Sequence, residues 1–292
     1  MTAAEDIVRA LPLWRGTPTL GVLKGGVSNA AFTVTDSTGR YVARAGADYP
    51  FHQVSRLREA EAHRAAHAAG LSPEMIYARD GVMVVRHLDA KTYGEADVQK
   101  NWQACLALVQ RCHRDMGRHI RGQGAIFWVF QILRDYAETL KAATHRSLPQ
   151  LEGWMAITDE LEAAQVPLPI IFGHHDLLPA NFMDDGQRVW LIDWEYGAFG
   201  TALFDLGNLA TASSFDSATE ADMLRAYFGS APNQSLLRAY YAMKVAAALR
   251  EAMWGMVSEL HLAAPGVDYV AYAAEYTQRF QRILASYRKD FP

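Results

Sequence analysis

The chain has 292 residues, of which 50% are hydrophobic and 21% charged, and its formal net charge is −4. This composition excludes a disordered chain and is enough for one large or two modest domains. The slightly acidic balance argues against binding of nucleic acid through bulk positive charge. Cys105 and Cys112 are seven residues apart on a predicted helix, about 10 Å from each other, which is too far for a disulfide.

The N-terminus has neither the basic nor the apolar segment of a signal peptide. The apolar run over residues 245–256 is interrupted by Arg250 and Glu251 and is too short to span a membrane. Two cysteines that cannot pair with each other are typical of a reducing compartment. We therefore expect a cytoplasmic protein that does not bind membranes.

Predicted strands dominate the first 90 residues, where apolar and polar residues alternate between glycine-containing turns. One helix is predicted among them, over residues 53–69, and Gly70 ends it. The pattern indicates a small antiparallel sheet. The predicted strands cover residues 17–23, 29–35, 40–44, 75–77 and 82–85.

From Gly94 onward the pattern is mostly helical, except over residues 169–193, where short strands flank a polar loop. The fold class is therefore α+β, with two lobes rather than alternating βαβ units. We expect the lobes to comprise residues 1–86 and 87–292, with a ligand site in the cleft between them. The predicted helices cover residues 94–118, 128–145, 150–164, 204–212, 218–228, 234–260 and 267–288.

The polar loop carries the chemistry. Asp176 follows an apolar run, Asn181 lies five residues later on the same loop, and Asp193 ends a second short apolar run. Kinases use this arrangement: the first Asp accepts a hydroxyl proton, and the Asn and second Asp bind magnesium. Taken singly, each residue could instead cap a turn or a helix. Their combined spacing favours catalysis by Asp176 and magnesium binding by Asn181 and Asp193.

Three neighbouring residues have less defined roles. His174 is expected to brace the loop through hydrogen bonds, and His175 is expected to be exposed and without a role. Asp205 is expected to support the catalytic loop, although a simple N-cap of the next helix is a close alternative.

Gly25, Gly26 and Ser28 lie in a glycine-rich turn between two strands. The turn lacks the Gly-Lys-Ser/Thr of a Walker loop and no helix follows it, so alone it is an ordinary hairpin. In a two-lobed kinase it would cover the phosphates of ATP with its N–H groups. Arg44, on the third strand, would neutralise phosphate charge, and we expect its helix partner to be Glu61, with Glu59 as the second choice.

Aromatic residues are frequent on the long predicted helix over residues 234–260, and Tyr196 follows Asp193 closely in the sequence. Tyr240, Tyr241 and Trp254 lie on that helix. Such residues are more often core than ligand-binding. A quaternary ammonium, however, is held by cation–π contact, so a kinase for a cationic alcohol would need an aromatic wall.

With these motifs, the chain resembles the choline kinase/aminoglycoside phosphotransferase superfamily, a small-molecule branch of the protein-kinase-like fold. The resemblance covers about residues 18–285 and is greatest to bacterial choline kinases of the LicA type. It rests on residues 25–29, 41–44, 69–74, 84–88, 174–181, 191–196, 204–210 and 244–254. Thr201 and Ala202 depart from the Asp-Pro of many relatives.

The resemblance implies that residues 1–86 bind the nucleotide and that residues 87–292 provide the catalytic and substrate-binding lobe. ATP would lie between the lobes with its adenine at Val85, Arg86 and His87, and Mg²⁺ would bridge its phosphates. Glu195, Tyr196 and Trp254 would contact the substrate. Choline is the expected acceptor. The alternatives are ethanolamine, thiamine or an aminoglycoside, or a pseudokinase that binds nucleotide without catalysis.

Overall fold

The computed structural model describes residues 3–23, 30–264 and 266–292. Its N-terminal part is a five-stranded antiparallel sheet in the order β1-β2-β3-β5-β4. Two helices accompany the sheet. The elements are α1 (Ala3–Arg9), β1 (Thr19–Leu23), β2 (Ala30–Asp36), β3 (Gly39–Ala45), α2 (Arg56–Ala68), β4 (Met75–Arg79) and β5 (Val82–Arg86).

The turn between β2 and β3 sets the register of the sheet. Asp36 accepts hydrogen bonds from the backbone N–H groups of Thr38 (2.7 Å) and Gly39 (3.1 Å), and this local bonding closes the turn. Alternate residues of β3, Tyr41 and Ala43 among them, are then buried in a small core beneath α1. Because successive strand residues face opposite sides, Arg44 points away from that core.

The C-terminal part is built around one long helix, α9, which packs against most of its neighbours. Close approach requires small residues: a Cβ added to Gly207 would lie 3.1 Å from the Cα of Lys244 on α9. The helices are α3 (Glu95–Lys100), α4 (Trp102–Asp115), α5 (Val129–Ala142), α6 (Leu148–Ala163), α7 (Ala202–Ala212), α8 (Ser217–Phe228), α9 (Gln234–His261) and α10 (Tyr269–Asp290).

Five short strands frame the polar loop. They form two antiparallel sheets, β6-β8-β9 and β7-β10, which fix both ends of the loop and place Asp193 just after β9. The strands are β6 (Lys91–Thr92), β7 (Ile171–Gly173), β8 (Phe182–Asp184), β9 (Val189–Leu191) and β10 (Ala198–Gly200).

The expected α+β architecture, a strand-rich part followed by a helical part, is confirmed. The helix predicted over residues 94–118 is interrupted at Asn101, whose backbone leaves the helical region. Cys105 and Cys112 are buried and unpaired, as expected. In the described part of the chain, no helix has the length and apolarity that a membrane crossing requires. The boundary between residues 86 and 87 stays a prediction.

Candidate active site

The polar loop is fixed by the side chain of Asp205 on α7. One carboxylate oxygen accepts from the backbone N–H of His174 (2.8 Å) and the other from that of His175 (2.7 Å). Asn208 lies three residues further along α7, and its side-chain oxygen accepts from the N–H of Leu177 (2.6 Å). The structure thus places Asp205 as the expected brace. The alternative of a helix cap is wrong, because Thr201 occupies the N-cap of α7.

Behind Asp205 lies a contact that the sequence analysis missed. The ring of His113 on α4 bonds Asp205 (2.8 Å) through Nε2, and its Nδ1 bonds the hydroxyl of Tyr227 (2.7 Å). Burial alone would raise the pKa of Asp205, but His175 and His113 hold that pKa well below its usual range. The carboxylate is therefore charged, and charged acceptors make the stronger hydrogen bonds.

His174 braces the loop as expected. Its Nδ1 accepts from the N–H of Asp176 (3.2 Å), so its proton lies on Nε2, which donates to the carbonyl of Ile192 (2.9 Å). His174 thus joins the loop to the segment that carries Asp193. Burial lowers the pKa of His174, so the ring is neutral.

The expectation that His175 is exposed is wrong. Its backbone is left-handed (φ 61°), and its fully buried ring stacks on Phe127 at 4.2 Å. Two glycines make room for the ring, since a Cβ on Gly173 or Gly200 would lie within 2.6 or 2.9 Å of its Nε2. Burial lowers the pKa of His175 to about 4. The residue is therefore a neutral packing element beneath Asp176.

Asp176 and Asn181 lie side by side, as their spacing predicted. The Asn181 amide donates to the carbonyl oxygen of Asp176 (2.8 Å) and to one of its carboxylate oxygens (3.2 Å), so the Oδ1 atom of Asn181 is turned the other way. Burial and the charge of Glu251 raise the pKa of Asp176, while Arg250 opposes the rise. A carboxylate with raised pKa is a stronger base for a hydroxyl proton.

Asp193 lies opposite this pair in a left-handed conformation (φ 69°), which costs a non-glycine residue backbone energy. Arg44 donates to its Oδ1 (2.8 Å) and also pairs with Glu59 (3.1 Å). Burial would raise the pKa of Asp193, but the Arg44 guanidinium holds that pKa below its usual value. Arg44 of the sheet thus links Glu59 on α2 to Asp193, the candidate metal ligand.

The assignment of Glu61 as the partner of Arg44 is wrong, and the second choice, Glu59, takes that place. Residues two apart on a helix point about 200° away from each other, so only one of the two can face β3. Glu59 is 4% exposed beneath the sheet. Glu61 instead pairs with Arg64 and accepts from the N–H of Arg121 (2.9 Å).

Glu195 is turned toward α2. Arg56 donates to it (3.1 Å) and to Glu59 (2.6 Å), which extends the Arg44 cluster across both parts of the chain. Burial and the charge of Asp193 raise the pKa of Glu195. Its expected contact with the substrate stays a prediction, and in the structure its carboxylate joins the two parts.

The nucleotide side is less completely described. Gly25, Gly26 and Ser28 lie outside the described residues. Val85 pairs with Val42 inside the sheet. The N–H of Arg86 donates to Glu74 (2.8 Å) and that of His87 to Arg40 (3.1 Å), so both are used within the protein. Contact of these three residues with adenine stays a prediction.

Trp254 and Tyr196, both expected to contact the substrate, lie next to each other, and their contact with a substrate stays a prediction. The indole N–H of Trp254 donates to the Tyr196 hydroxyl (2.9 Å). The Trp254 ring also has Tyr272 of α10 at 5.5 Å between ring centroids, and the Tyr272 hydroxyl donates to Glu251 (2.8 Å). Three aromatic rings and one carboxylate thus form a connected group, and the charge of that carboxylate acts on Asp176.

Tyr240 and Tyr241, the other aromatic residues of α9, lie elsewhere. The hydroxyl of Tyr240 donates to Glu220 (2.9 Å), Lys244 pairs with the same carboxylate, and Tyr240 is fully buried. Tyr241 packs on Phe291 near the C-terminus (5.8 Å between centroids). The earlier half of α9 is therefore core, and only its later half reaches the site.

The sequence analysis gave the pair Arg250–Glu251 no role of its own, beyond interrupting an apolar run and lying in the segment 244–254 that supports the resemblance. Arg250 is 2% exposed, pairs with Glu251 and lies over the ring of Tyr196 (4.3 Å). Among the described residues its Nε and Nη2 atoms find no hydrogen-bond acceptor. A charged pair inside an apolar helical run was the available signal for a functional position.

The chain matches the model of the phosphotransferase enzyme family over residues 19–244. Protein LicA of Haemophilus influenzae is 25% identical over 208 residues, 70% of this chain. The chain spans 61% of that relative's length. A choline/ethanolamine kinase family protein from Mesorhizobium loti has TM-score 0.77 and 26% identity, covering 96% of this chain and 95% of that one. LicA in complex with AMP has TM-score 0.76 and 22% identity, with 97% of each chain covered.

These similarities extend beyond the strand-rich part into the helical part of the chain, which contains the polar loop and Trp254. The two structures cover nearly the whole chain, so the expected two-lobed, kinase-like fold is confirmed. The matched family residues include the polar loop, Asp193 and the first third of α9. From its sequence and its fold, the chain belongs to the phosphotransferase enzyme family.

Proposed function

We propose that the protein transfers the γ-phosphoryl group of ATP to the hydroxyl of a small cationic amino alcohol, with choline as the first choice. The observation that carries this proposal is a chain of contacts next to Asp176: Trp254 bonds Tyr196 and packs on Tyr272, Tyr272 bonds Glu251, and the charge of Glu251 acts on Asp176. The names of the LicA and choline/ethanolamine kinase relatives support it. The unpaired cysteines support a cytoplasmic location.

Asp176 is the proposed general base. As the acceptor oxygen forms its bond to the γ-phosphorus, Asp176 takes the hydroxyl proton, and the bond from that phosphorus to ADP breaks. Asn181 and the Asp205 brace hold the carboxylate in place during this step. Because phosphoryl transfer needs little covalent chemistry from the protein, positioning and charge neutralisation supply most of the rate.

The residues present fit a magnesium ion that is completed by nucleotide phosphates. Mg²⁺ takes hard oxygen ligands and is usually held by one or two carboxylates plus phosphates and water. Asp193 and the free amide oxygen of Asn181 are such ligands. The described residues form no group of three His, Cys, Asp or Glu side chains suited to a metal, consistent with an ion that arrives with ATP. When bound, Mg²⁺ would neutralise phosphate charge.

We propose that residues 1–86 form the nucleotide-binding lobe and that residues 87–292 form the catalytic and substrate-binding lobe, as the sequence predicts. The end of β5 at Arg86 supports that boundary. Arg44 of the first lobe would provide the cation for the phosphates of ATP. Its present partner Asp193 belongs to the second lobe, so this ion pair marks where the two halves of the site meet.

Ethanolamine is the second candidate acceptor. Its primary ammonium carries N–H donors, and Glu251 with the Tyr272 hydroxyl supplies oxygen acceptors beside the rings. Choline has no such donors and would rely on the aromatic faces and on charge. The order of preference between the two is therefore a direct test of how the pocket works.

The proposal is tested by ADP release with Mg·ATP and a panel of alcohols: choline, ethanolamine, thiamine, homoserine and an aminoglycoside. We expect kcat/KM to be highest for choline, followed by ethanolamine. A reaction without any acceptor gives the background rate. Preference for the aminoglycoside, or no stimulation by any alcohol, would contradict the proposed acceptor class.

The change Trp254→Ala should raise the KM for choline and leave the KM for ATP unchanged. Loss of a cation–π contact of roughly 0.5–2 kcal/mol corresponds to about a two- to thirty-fold rise. Steady-state kinetics on both substrates gives the two constants. Trp254→Phe, which keeps an aromatic face, is the matched control. A lowered melting temperature with unchanged choline KM would show that Trp254 is only a packing residue.

The change Asp193→Ala should remove the magnesium-dependent part of ATP affinity, because the main charged metal ligand is lost. We expect at least an approximately ten-fold loss, in the range seen when metal-site residues are altered. Calorimetric titration of ATP with and without Mg²⁺ measures it. Asp222→Ala, on the exposed face of α8, is the control. If magnesium still strengthens ATP binding to Asp193→Ala, the metal site lies elsewhere.

A further inference from the structure

A short segment from the strand-rich part reaches into the helical part. Residues 49–54 form a tight turn in which the backbones of Tyr49 and Val54 exchange two hydrogen bonds of 3.0 Å. Pro50 begins a single turn of 3₁₀ helix, and Gln53 closes it in a left-handed conformation (φ 58°). The turn projects Phe51 and His52 away from the sheet.

His52 is the deepest residue of this segment. Its side chain is 3% exposed, its Nδ1 bonds the Tyr136 hydroxyl (3.0 Å) and its Nε2 bonds the Ser258 hydroxyl (2.8 Å). Burial, Arg250 and His261 lower the pKa of His52 to about 2, so the ring is neutral. Because each ring nitrogen bonds a different hydroxyl group, the orientation of the ring is fixed.

The fixed ring of His52 lies flat on Trp254. The ring centroids are 5.0 Å apart and the planes differ by 19°. The indole N–H is held by Tyr196, so the plane of Trp254 is set from two directions. One face of the indole is covered by a residue that lies more than 200 positions earlier in the chain.

The rest of the segment follows the same helix face. Phe51 stacks on His261 with a centroid separation of 4.4 Å, and Ser258 and His261 follow Trp254 at four- and three-residue spacing on α9. Gln53 donates to Asp135 on α5 (3.0 Å). The segment thus rests on the part of α9 that carries the aromatic wall, and α2 with Glu59 follows it directly in the chain.

We propose that His52 is a specificity-determining positioning residue, which fixes the ring plane of Trp254 so that the wall fits the cationic group of the acceptor. This inference rests on the proposed function. It makes a residue of the nucleotide-binding lobe part of acceptor recognition. The ordinary alternative is that His52 only holds the two lobes together. In that case its loss weakens the binding of both substrates equally.

Three variants separate a positioning role of His52 from a purely structural one. His52→Asn removes the stacked ring, and we expect it to raise the KM and the calorimetric Kd for choline by about two- to ten-fold, the size of one aromatic contact. The KM for ATP should change less than two-fold. His52→Phe keeps a ring on Trp254 but leaves two hydroxyls without a partner, so it should lower the melting temperature and keep the choline Kd close to that of the wild type. Gln53→Asn, which tolerates the same left-handed backbone, should change neither constant.

Two measurements keep this inference distinct from the proposed function. Calorimetric titration with choline alone reports on the wall, and ADP release reports on phosphoryl transfer. If the wild-type protein binds choline without phosphorylating it, the proposed function is wrong. The Kd values of the variants still decide whether His52 positions the wall. The His52 proposal is overturned if wild type does not bind choline. It is also overturned if folded His52→Asn binds choline as wild type does, or if both KM values rise together.

Discussion

Replacement of Asp176 by Asn should lower kcat by at least about 10²-fold without unfolding the protein. General-base catalysis contributes roughly 10²–10⁴-fold, and an amide cannot take the hydroxyl proton. Asn has the same shape and can still bond to the Asn181 amide, which holds the loop in its present form. Burial and Glu251 already disfavour the charged form of Asp176. Replacing this carboxylate by a neutral amide should therefore not lower the free energy of unfolding.

Kinetics with saturating ATP and acceptor, together with a melting curve, decides this point. KM values for both substrates should change little, since Asn still fills the position beside the acceptor. Asp159→Asn, on the exposed surface of α6, provides the control for the chemical change itself. Near-normal turnover by a folded Asp176→Asn protein would remove Asp176 from the role of base.

The loop geometry could be predicted because its determinants are local. Asp176 and Asn181 are five residues apart between two short strands, so few loop conformations separate them. Asp205 was also predictable as a brace, since α7 begins soon after Asp193 in the chain. The depth of His175 was not predictable, because the ring that covers it, Phe127, comes from a loop about 50 residues earlier.

The choice between Glu59 and Glu61 depended on information that the helical pattern did not contain. Both residues fit a helix over 53–69, and which of them faces β3 depends on how the helix is rotated. That rotation follows from the tight turn over residues 49–54, which delays the start of α2 to Arg56. No periodic signal marked the turn, and His52 was missed for the same reason.

The length of α9 explains why the aromatic residues of one predicted helix have different surroundings. Tyr240 and Trp254 are fourteen residues apart, about 21 Å along the axis at 1.5 Å per residue. They therefore meet different neighbours: α8 supplies Glu220 to Tyr240, while the turn with His52 and α10 surround Trp254. A single helix can thus contribute to the core at one end and to the candidate active site at the other.

Replacement of Arg250 by Met should lower the free energy of unfolding by about 3–5 kcal/mol, the cost of breaking a buried ion pair by removing one partner. The carboxylate of Glu251 would stay buried, with Tyr272 as its remaining donor. Urea denaturation measures the loss. Arg288→Met is the matched control, because the pair of Arg288 with Glu160 is exposed and worth at most about 1 kcal/mol.

The double change Arg250→Met with Glu251→Gln separates a charge effect from a packing effect. It buries no charge, and the amide oxygen of Gln can still accept from Tyr272, so we expect most of the lost stability to return. Recovery would mean that Arg250 is present to neutralise Glu251, and that Glu251 is kept for the acceptor rather than for folding. If Arg250→Met is as stable as Arg288→Met, water or relaxation already satisfies the site. In that case the buried pair has no structural role that explains its position beneath Tyr196.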